Sequence, residues 1–289
     1  PQNNLSVEQW SFQSSKYEAI NNKIKKLGIP LEKYCSEKIN FGIKTGLDKI
    51  FVINETTKYE LEKSSKSSKE IIKPFLIGKQ IKRYHYDWKD KYIILTKKGI
   101  NISKYPSILK YLKKFKTELE QRTDIKDKGE WYELRSCTYY DDFLKPKIIF
   151  SHFGQRPQFT IDRENFYGNP KSYIIPTDDK YLLGILNSSC IAFYSKSICP
   201  FVRGEFYEYG KQYVKIFPIA KSTTSVRNKL ENYVEEILLL HKKLSKNHNE
   251  DSEESQEWIK RIEFINREID ELVYKLYHIT DEEKAIIES

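Results

Sequence analysis

The sequence has 289 residues, which is enough for one large domain or two ordinary ones. Its formal net charge is +9 and aromatic residues make up 14% of it, a composition that excludes a chain disordered over its whole length. No uninterrupted apolar run approaches the roughly 18 residues of a transmembrane helix, so we predict no membrane span.

The first predicted elements are helices. Apolar residues recur at spacings of three, four or seven over 7–27, which predicts a helix that Gly28 and Pro30 end. A shorter helix is predicted over 30–37. A loop then leads into a predicted strand over 49–53.

The central part of the sequence predicts a mixture of strands and helices. Strands are predicted over 91–96, 147–153, 158–161, 173–176 and 213–219. Helices are predicted over 106–121, with apolar residues on one side and lysines on the other, and over 178–197, which is apolar enough to be buried. The polar stretch 62–69 predicts a surface connection. The fold class that follows is α+β, a mixed α/β domain with flanking helices.

The C-terminal part of the sequence carries one apolar spacing twice. From Val226 to Leu244 and from Trp258 to Leu276, apolar residues follow one another at intervals of 4, 3, 4, 3 and 4. This predicts an antiparallel two-helix coiled-coil hairpin joined by the polar stretch 245–255. The hairpin either projects as a spacer or docking arm about 30 Å long or folds back on the globular body.

The charge is divided unevenly along the chain. Residues 1–221 carry a balance of +15 and residues 222–289 a balance of −6. A basic body favours a polyanionic partner through attraction and counterion release. However, 41 of the 50 basic residues are Lys, a bias that AT-rich coding also produces. Charge alone therefore leaves nucleic-acid binding open.

The cysteines, histidines and N-terminus indicate the setting of the protein. The four Cys lie far apart with no C-x-x-C, and the five His form no metal-binding pair, so we expect neither a zinc site nor a disulfide framework. Reduced thiols and the lack of a signal-peptide pattern in 1–10 predict a cytoplasmic protein. The sequence contains no Met, which leads us to expect a C-terminal fragment of a longer chain.

Catalytic motifs are not recognisable in the sequence. It has no phosphate loop, no dinucleotide-binding loop and no nucleophile elbow. Asn169-Pro-Lys-Ser172 matches the Asn-Pro-Pro-aromatic loop of amino-methyltransferases only in part, and predicts a turn. Asp141 and Asp142, close to Lys145, are the nearest approach to a metal-dependent nuclease site, but neighbouring residues on a strand point to opposite faces. We predict no catalytic residue.

Basic and amide side chains near predicted turns are the best candidates for function. Arg and Lys neutralise phosphates, Arg can pair with guanine through two hydrogen bonds, and Gln pairs in the same way with adenine. Arg is also scarce in this Lys-rich chain, which makes each one more informative. For any one of these residues, the alternative is a structural role beside core aromatics. The predicted DNA-binding residues are Lys44, Lys79, Lys82, Arg83, Arg135, Gln155, Arg156, Gln158, Arg163 and Arg203.

At this point the motifs resemble those of a known family. Phe41-Gly-Ile-Lys-Thr-Gly46 and Ile72-Lys-Pro-Phe-Leu-Ile-Gly78 are similar to the C-terminal specificity domain of adenine-specific DNA methyltransferases, above all the TaqI-like region of fused type IIG restriction–modification enzymes. Further matches follow in the expected order at 131–135, 145–149, 182–188, 217–219 and 269–277. Together they extend over nearly the whole chain.

The resemblance implies a division of the chain and a set of partners. It implies a target recognition domain over 41–221, an N-terminal helical segment over 1–40 that leads to an absent upstream methyltransferase domain, and a helical hairpin spacer over 222–289. Double-stranded DNA and that upstream domain are the implied partners. The resemblance places S-adenosylmethionine, and magnesium where a nuclease is attached, in the absent domains.

The implied function is sequence-specific DNA recognition that positions an adenine for N6 methylation by another domain. No enzyme activity is expected of this chain, and its parent protein is expected to be a methyltransferase, with an endonuclease in some systems. Two alternatives stay open. One is a protein–protein interaction module that uses the acidic hairpin, and the other is a nuclease at Asp141 and Asp142.

Overall fold

The computed structural model describes residues 15–36, 38–123, 129–247, 249 and 251–289. Residues 7–14 of the first predicted helix, and Glu37 at the end of the second, lie outside the described residues. Within the described part, no helix is both long and apolar enough to cross a lipid bilayer. The described helices are α1 (Ser15–Leu27), α2 (Leu31–Tyr34), α3 (Asp48–Phe51), α4 (Glu55–Ser64), α5 (Pro106–Lys113), α6 (Lys116–Glu120), α7 (Lys180–Asn187), α8 (Ser189–Ile198), α9 (Lys211–Val214), α10 (Thr224–Leu244), α11 (Glu253–Leu276) and α12 (Asp281–Glu288).

The described strands are β1 (Gly28–Pro30), β2 (Asn40–Phe41), β3 (Val52–Asn54), β4 (Ile72–Leu76), β5 (Lys91–Ile94), β6 (Lys147–Ser151), β7 (Phe153–Gly154), β8 (Phe159–Asp162), β9 (Tyr167–Gly168), β10 (Ser172–Ile175), β11 (Phe201–Arg203), β12 (Phe206–Glu208) and β13 (Pro218–Ala220).

These described strands form four sheets. The central sheet has the order β2-β10-β6-β8 with antiparallel neighbours, and the second has the order β3-β5-β4-β9 with a parallel β4–β9 pair. A three-stranded sheet has the order β11-β12-β7, and β1 pairs with β13.

The central sheet is buried on both faces. Along β6, Ile148 and Phe150 belong to one hydrophobic core, whereas Ile149 belongs to another. The first core also contains α1, α7, α8 and the C-terminal helices, and the second contains the β3-β5-β4-β9 sheet and α5. A strand covered on both faces is a continuous apolar run without polar alternation, as the sequence of β6 and β10 is. This arrangement confirms the α+β fold class.

Several predicted elements are shorter or divided in the structure. The helix predicted over 178–197 is interrupted because the side chain of Ser188 accepts a hydrogen bond from Ile191 N–H and caps α8. The helix predicted over 106–121 is likewise two short helices, α5 and α6. Their buried residues Ile108, Leu112 and Leu119 all lie on the predicted apolar side.

Three predictions along the chain are wrong in part. Residues 48–51 form a helical turn that buries both Ile50 and Phe51, so the strand predicted over 49–53 begins only at Val52. Residues 211–214 are helical as well, and the strand predicted over 213–219 is limited to β13, where it pairs with β1. The stretch 62–69 is the end of α4 followed by a 3₁₀ turn, not a plain surface connection.

The C-terminal helices form the predicted antiparallel pair and pack on the body. Lys243 lies over the Trp258 ring at one end of the pair, and Tyr233 Oη donates to Glu268 further along, which fixes the antiparallel direction. α10 lies on α7, where the Leu230 side chain fills the space above Gly184. The structure therefore favours the second alternative, a hairpin folded back on the body. The domain boundaries predicted at residues 41 and 221 stay predictions.

An ion pair is buried at one end of the central sheet. Lys147 on β6 and Asp162 on β8 face each other, and both side chains are fully buried. Lys147 Nζ also donates to the carbonyl of Phe143 at 2.8 Å. Asp162 also accepts the backbone N–H groups of Glu164 and Phe166 at 2.7 and 2.9 Å. The pair thus joins β6, β8 and the chain on either side of them.

Lys147→Met removes the ammonium group but keeps most of the side-chain volume. We expect it to lower the free energy of unfolding by about 3–5 kcal/mol, because the carboxylate of Asp162 stays buried without its counter-charge. Equilibrium urea unfolding measures the loss. Lys145→Met is the matched control, because 60% of the Lys145 side chain is exposed, and it should change the value by less than about 0.5 kcal/mol. Equal stability of the two variants would contradict the prediction.

Candidate nucleic-acid interface

The pairing of the central sheet brings several loops to one end of it. Ser151 at the end of β6 is opposite Ser172 at the start of β10, and Tyr173 is opposite Phe41 at the end of β2. Phe159, the first residue of β8, is opposite Phe150. The loops 42–46, 152–158 and 169–171 therefore all leave the sheet at this end, which we call the loop end.

Two glycines allow close backbone contacts at the loop end. A Cβ on Gly42 would lie 2.0 Å from the carbonyl oxygen of Asn169, and one on Gly78 would lie 2.0 Å from that of Lys171. Only a residue without a side chain allows backbones to approach this closely. Gly78 N–H also donates to Asn169 Oδ1 at 3.0 Å. Residues 78–82 are thereby held against the loop that precedes β10.

The segment Asn169–Ser172 is the turn that the sequence predicts. Ser172 donates its N–H and its hydroxyl to the carbonyl of Asn169, at 3.0 and 2.7 Å. Asn169 is buried, and its side chain accepts from the backbone of Gly78. The Asn169 amide therefore has a structural role. This differs from the amino-methyltransferase loop that the motif matches in part, which holds a base.

A β-hairpin that the sequence analysis missed extends the loop end. β11 and β12 pair with each other, and β12 pairs with β7 directly after the central strand β6. The hairpin turns at Gly204 and Glu205, which both have positive φ. Phe201, Val202 and Phe206 are 61%, 49% and 43% exposed. The signal that could have revealed it is a glycine between two short runs of aromatic and β-branched residues.

Most of the predicted DNA-binding residues lie at the loop end. Arg203 is exposed on β11, and its side chain makes no hydrogen bond or ion pair within the described part of the chain. Lys79 is exposed, and exposed Lys44 lies 5.5 Å from the centre of the Phe41 ring. Exposed Gln155 donates through Nε2 to Glu205 at 3.1 Å. Exposed Lys171, which the sequence analysis did not select, lies beside Gly78.

The remaining loop-end candidates are partly buried. Lys82 and Gln158 are half-buried, and the carbonyl of Gln158 accepts from Ser151 N–H at 3.4 Å. Arg83 donates through Nη2 to Asn266 Oδ1 at 3.0 Å, and Arg156 donates through Nη2 to the carbonyl of Asn187 at 3.0 Å. Burial, followed by repulsion from the neighbouring Arg83, lowers the pKa of Arg156 to about 10.

Two predicted residues do not lie on the loops of the loop end. Arg163 follows β8 at the opposite end of the central sheet and pairs with Asp178 at 3.0 Å and Glu235 at 3.3 Å. Arg135 lies two residues after Glu133, and Arg122 donates to the carbonyls of both Glu133 and Thr45, which is in the loop 42–46. The structure therefore separates Arg163 from the other candidates.

One of the two carboxylates proposed for a nuclease is engaged in local contacts. Asp142 accepts from Asn40 Nδ2 at 3.0 Å and pairs with Lys145 at 3.3 Å, whereas Asp141 is exposed. Among the residues that the structure describes, no group of three or more His, Cys, Asp or Glu side chains could hold a metal ion. The side chains around Asp141 and Asp142 therefore do not fit a Mg²⁺ site.

Two histidines stack between the body and the hairpin next to this region. The ring centroids of His85 and His241 are 4.2 Å apart, with an interplanar angle of 17°. Burial lowers the pKa of His85. Burial, together with the neighbouring His85 and Arg83, lowers the pKa of His241 to about 3. Both rings are therefore neutral near pH 7, and protonation would place two cations in contact.

Comparisons with known proteins match most of the chain to type II methyltransferases. A family model described as the TaqI-like C-terminal specificity domain matches residues 73–219. The chain is 28% identical over 214 residues to the Type II methyltransferase M.MjaIV from Methanocaldococcus jannaschii, covering 70% of each. It is 28% identical over 236 residues to the Type II methyltransferase M.BanIII from Aneurinibacillus aneurinilyticus, covering 72% of this chain. It spans 38% of that second relative.

A solved structure shares the fold. The Type IIL restriction–modification enzyme MmeI in complex with DNA superimposes with a TM-score of 0.63 at 14% identity. The match covers 86% of this chain and 34% of that chain.

Acidification should destabilise the protein through His241. The unfolded chain takes up this proton near the ordinary pKa of about 6.5, whereas the folded chain takes it up only at about 3. The stabilisation present above pH 6.5 is therefore lost as the pH falls towards 3. Between pH 7 and pH 5 we expect a loss of about 2 kcal/mol of unfolding free energy from this residue.

His241→Phe, which can still stack on His85, should remove about 2 kcal/mol of that pH dependence. Urea unfolding at pH 7 and at pH 5 measures the difference. His278→Asn is the matched control because His278 is exposed at the end of α11, and it should keep the pH dependence of the unaltered chain. The same pH dependence in His241→Phe would contradict the interpretation.

Proposed function

Because the chain belongs to the family of TaqI-like C-terminal specificity domains, we propose that it binds double-stranded DNA and recognises a base sequence for a restriction–modification system. The observation that carries this proposal is the convergence of basic and amide side chains at the loop end. Eight of the ten residues selected from the sequence lie on loops that leave one end of the central sheet or are held against it. Such a surface suits a polyanion.

The exposed side chains divide by the contacts they can make. Lys44, Lys79 and Lys171 are single positive charges on mobile stems, which suit backbone phosphates and carry no sequence information. Arg203 has a fork of two donors, which suits the edge of guanine in the major groove. Gln155 has a donor and an acceptor side by side, which suits the edge of adenine. The β11–β12 ribbon that carries Arg203 is two strands wide, and the major groove admits an element of that size.

The chemistry would then belong to domains outside this chain. Two relatives are named as type II methyltransferases, and the chain spans about two fifths of the length of the second. We propose that an upstream domain holds S-adenosylmethionine, takes an adenine out of the duplex and methylates its N6, while this chain fixes the position of the site. Any magnesium-dependent cleavage is assigned to such further domains as well.

The hairpin is less suited to a separate protein–protein function. Its apolar residues Leu230, Val234, Ile237, Ile265 and Ile269 are buried and belong to the core that it shares with the central sheet. What remains at its surface is mostly charged. DNA recognition is therefore the proposed function. Absence of DNA binding would instead favour a protein partner.

Selection of bound duplexes from a random-sequence library tests the proposal directly. We expect one motif to be enriched in the presence of excess non-specific competitor, because base-reading side chains would discriminate between duplexes. The affinity should also fall steeply with salt concentration, as counterion release requires. Retention without enrichment would limit the chain to phosphate binding. No retention at low salt would overturn the proposal.

Single substitutions should separate phosphate contacts from base contacts. Lys79→Ala should weaken binding about equally on all duplexes and lower the salt slope by about 1. Arg203→Ala should weaken binding mainly on the selected motif, by about 1–3 kcal/mol. Fluorescence anisotropy on the selected duplex and a scrambled one measures both. Arg163→Ala removes the same charge at the opposite end of the central sheet and should change neither value. An effect of Arg163→Ala equal to that of Lys79→Ala would contradict the assignment of the interface.

A further inference from the structure

Buried polar atoms without hydrogen-bond partners are concentrated beside the loop end. Eight such side-chain atoms occur in the described part of the chain, and four of them belong to one cluster. They are Nε of Arg83, Nε of Arg156 and the hydroxyl oxygens of Tyr84 and Tyr209. Tyr84 and Tyr209 are 2% and 1% exposed. The hydroxyls of Tyr84 and Tyr209 lie near Arg83 and Ser195, whereas the two arginine Nε–H groups have no acceptor. Buried polar groups are normally paired, so these two unpaired donors point to a missing acceptor.

The backbone contacts hold the members of the cluster together. Tyr84 N–H donates to the carbonyl of Phe159 at 2.9 Å, and both backbone groups of Phe159 are bonded to the side chain of Asn187. Arg156 donates to the carbonyl of the same Asn187. The guanidinium of Arg83 lies 5.6 Å from the centre of the Tyr84 ring. The two arginines therefore reach one region from two different loops.

The charges in this region are not balanced. Burial lowers the pKa of Arg156, and the charge of the nearby Arg83 lowers it further. The carboxylate that faces them is Asp270 on α11, and it already accepts the N–H and the hydroxyl of Ser189 at 2.7 and 2.8 Å. Two guanidinium groups thus share one carboxylate that is bonded elsewhere. An anion between them would turn their repulsion into attraction.

The hairpin sets the direction of one of the two guanidinium groups. Asn266 on α11 accepts from Arg83 Nη2 through Oδ1, while its own Nδ2 donates to the carbonyl of Ile262 at 3.0 Å. This second bond fixes which end of the amide faces the arginine. A neutral amide oxygen orients the guanidinium without neutralising it, and so leaves its charge for a ligand.

We propose that Arg83 and Arg156 together bind one phosphate group of the DNA backbone, and that Asn266 is the positioning residue for Arg83. The inference rests on the proposed function and makes the C-terminal hairpin part of the DNA-binding apparatus. Guanidinium groups pair with phosphate oxygens through two parallel hydrogen bonds, which suits two of them to a single phosphate. The contact carries no sequence information, in contrast to the one assigned to Arg203.

The test replaces the amide by a carboxylate. Asn266→Asp would put a negative charge at 3.0 Å from Arg83 and occupy the guanidinium that the phosphate needs. We expect DNA affinity to fall about tenfold on the selected and scrambled duplexes alike, and the salt slope to fall by about 1. Gln256→Glu is the matched control, because it changes the net charge equally about 15 Å away along the same helix. It should keep the slope of the unaltered chain.

A second variant and a second measurement guard against a fault in folding. Arg83→Gln removes the guanidinium itself and should lower the affinity and the slope as Asn266→Asp does. Without DNA, inorganic phosphate should raise the Tm of the unaltered chain above its value in chloride of equal ionic strength. That increase should be absent in both variants. The Tm of Asn266→Asp in chloride should not fall, because the new carboxylate offsets the repulsion between the arginines.

Each result decides between sources of the anion and between the two proposals. In one outcome, both variants keep the salt slope of the unaltered chain but lose its Tm increase in phosphate. The cluster would then be a site for a free anion, which would overturn the assignment to DNA. No change in either measurement would mean that the cluster holds water, and would overturn it as well. If Lys79→Ala lowers the slope in those cases, the proposed function stands without this contact. If the unaltered chain binds no DNA, the proposed function itself fails.

Discussion

The central sheet is buried on both faces, and the rest of the structure depends on that burial. Successive residues of β6 and β10 enter different cores, so both sheet faces must be covered at once. The β3-β5-β4-β9 sheet with α5 covers one face, and α1, α7, α8 and the C-terminal helices cover the other. The cost of burying Lys147 and Asp162 in this setting is offset by their mutual attraction and by hydrogen bonds from the neighbouring chain.

A sheet covered in this way leaves its ends as the places where side chains can meet a ligand. At one end, Lys147 and Asp162 close the structure. At the other, antiparallel pairing brings three loops together, one of which carries Lys44, and the close approach of Gly78 adds the segment that carries Lys79. The β11–β12 hairpin continues from the same end. The proposed DNA interface therefore lies at the end of the central sheet, beyond the faces that the two hydrophobic cores cover.

Asn187 connects this interface to the helical layer. Its side chain bonds both backbone groups of Phe159, its carbonyl accepts from Arg156, and the next residue caps α8. The break between α7 and α8 thus lies where the loop end meets the hairpin helices. Asn266 and Asp270 on α11 face the same point. The C-terminal hairpin is in this way a part of the site and not a separate arm.

The sequence by itself determined the elements whose patterns are local. The repeated spacing in 226–276 was sufficient for the antiparallel helices, and the apolar runs were sufficient for β6 and β10. Seven motifs in order, from 41–53 to 269–277, indicated the family, whose model matches 73–219. Basic residues near turns gave most of the candidate interface, since loops at a sheet end are also where Arg and Gln can reach a ligand.

Tertiary structure decided what depends on residues far apart in the chain. Residues 48–51 and 211–214 form helical turns where strands were predicted, because a short apolar run fits a strand or a helical turn and only packing selects between them. Arg163 was indistinguishable in sequence from Arg203, and only the strand pairing separates their positions. The contact of Arg83 with Asn266 joins residues 183 positions apart. Periodicity and turn chemistry determine helices, strands and turns over a few residues. Long-range packing determines which of these elements contact one another.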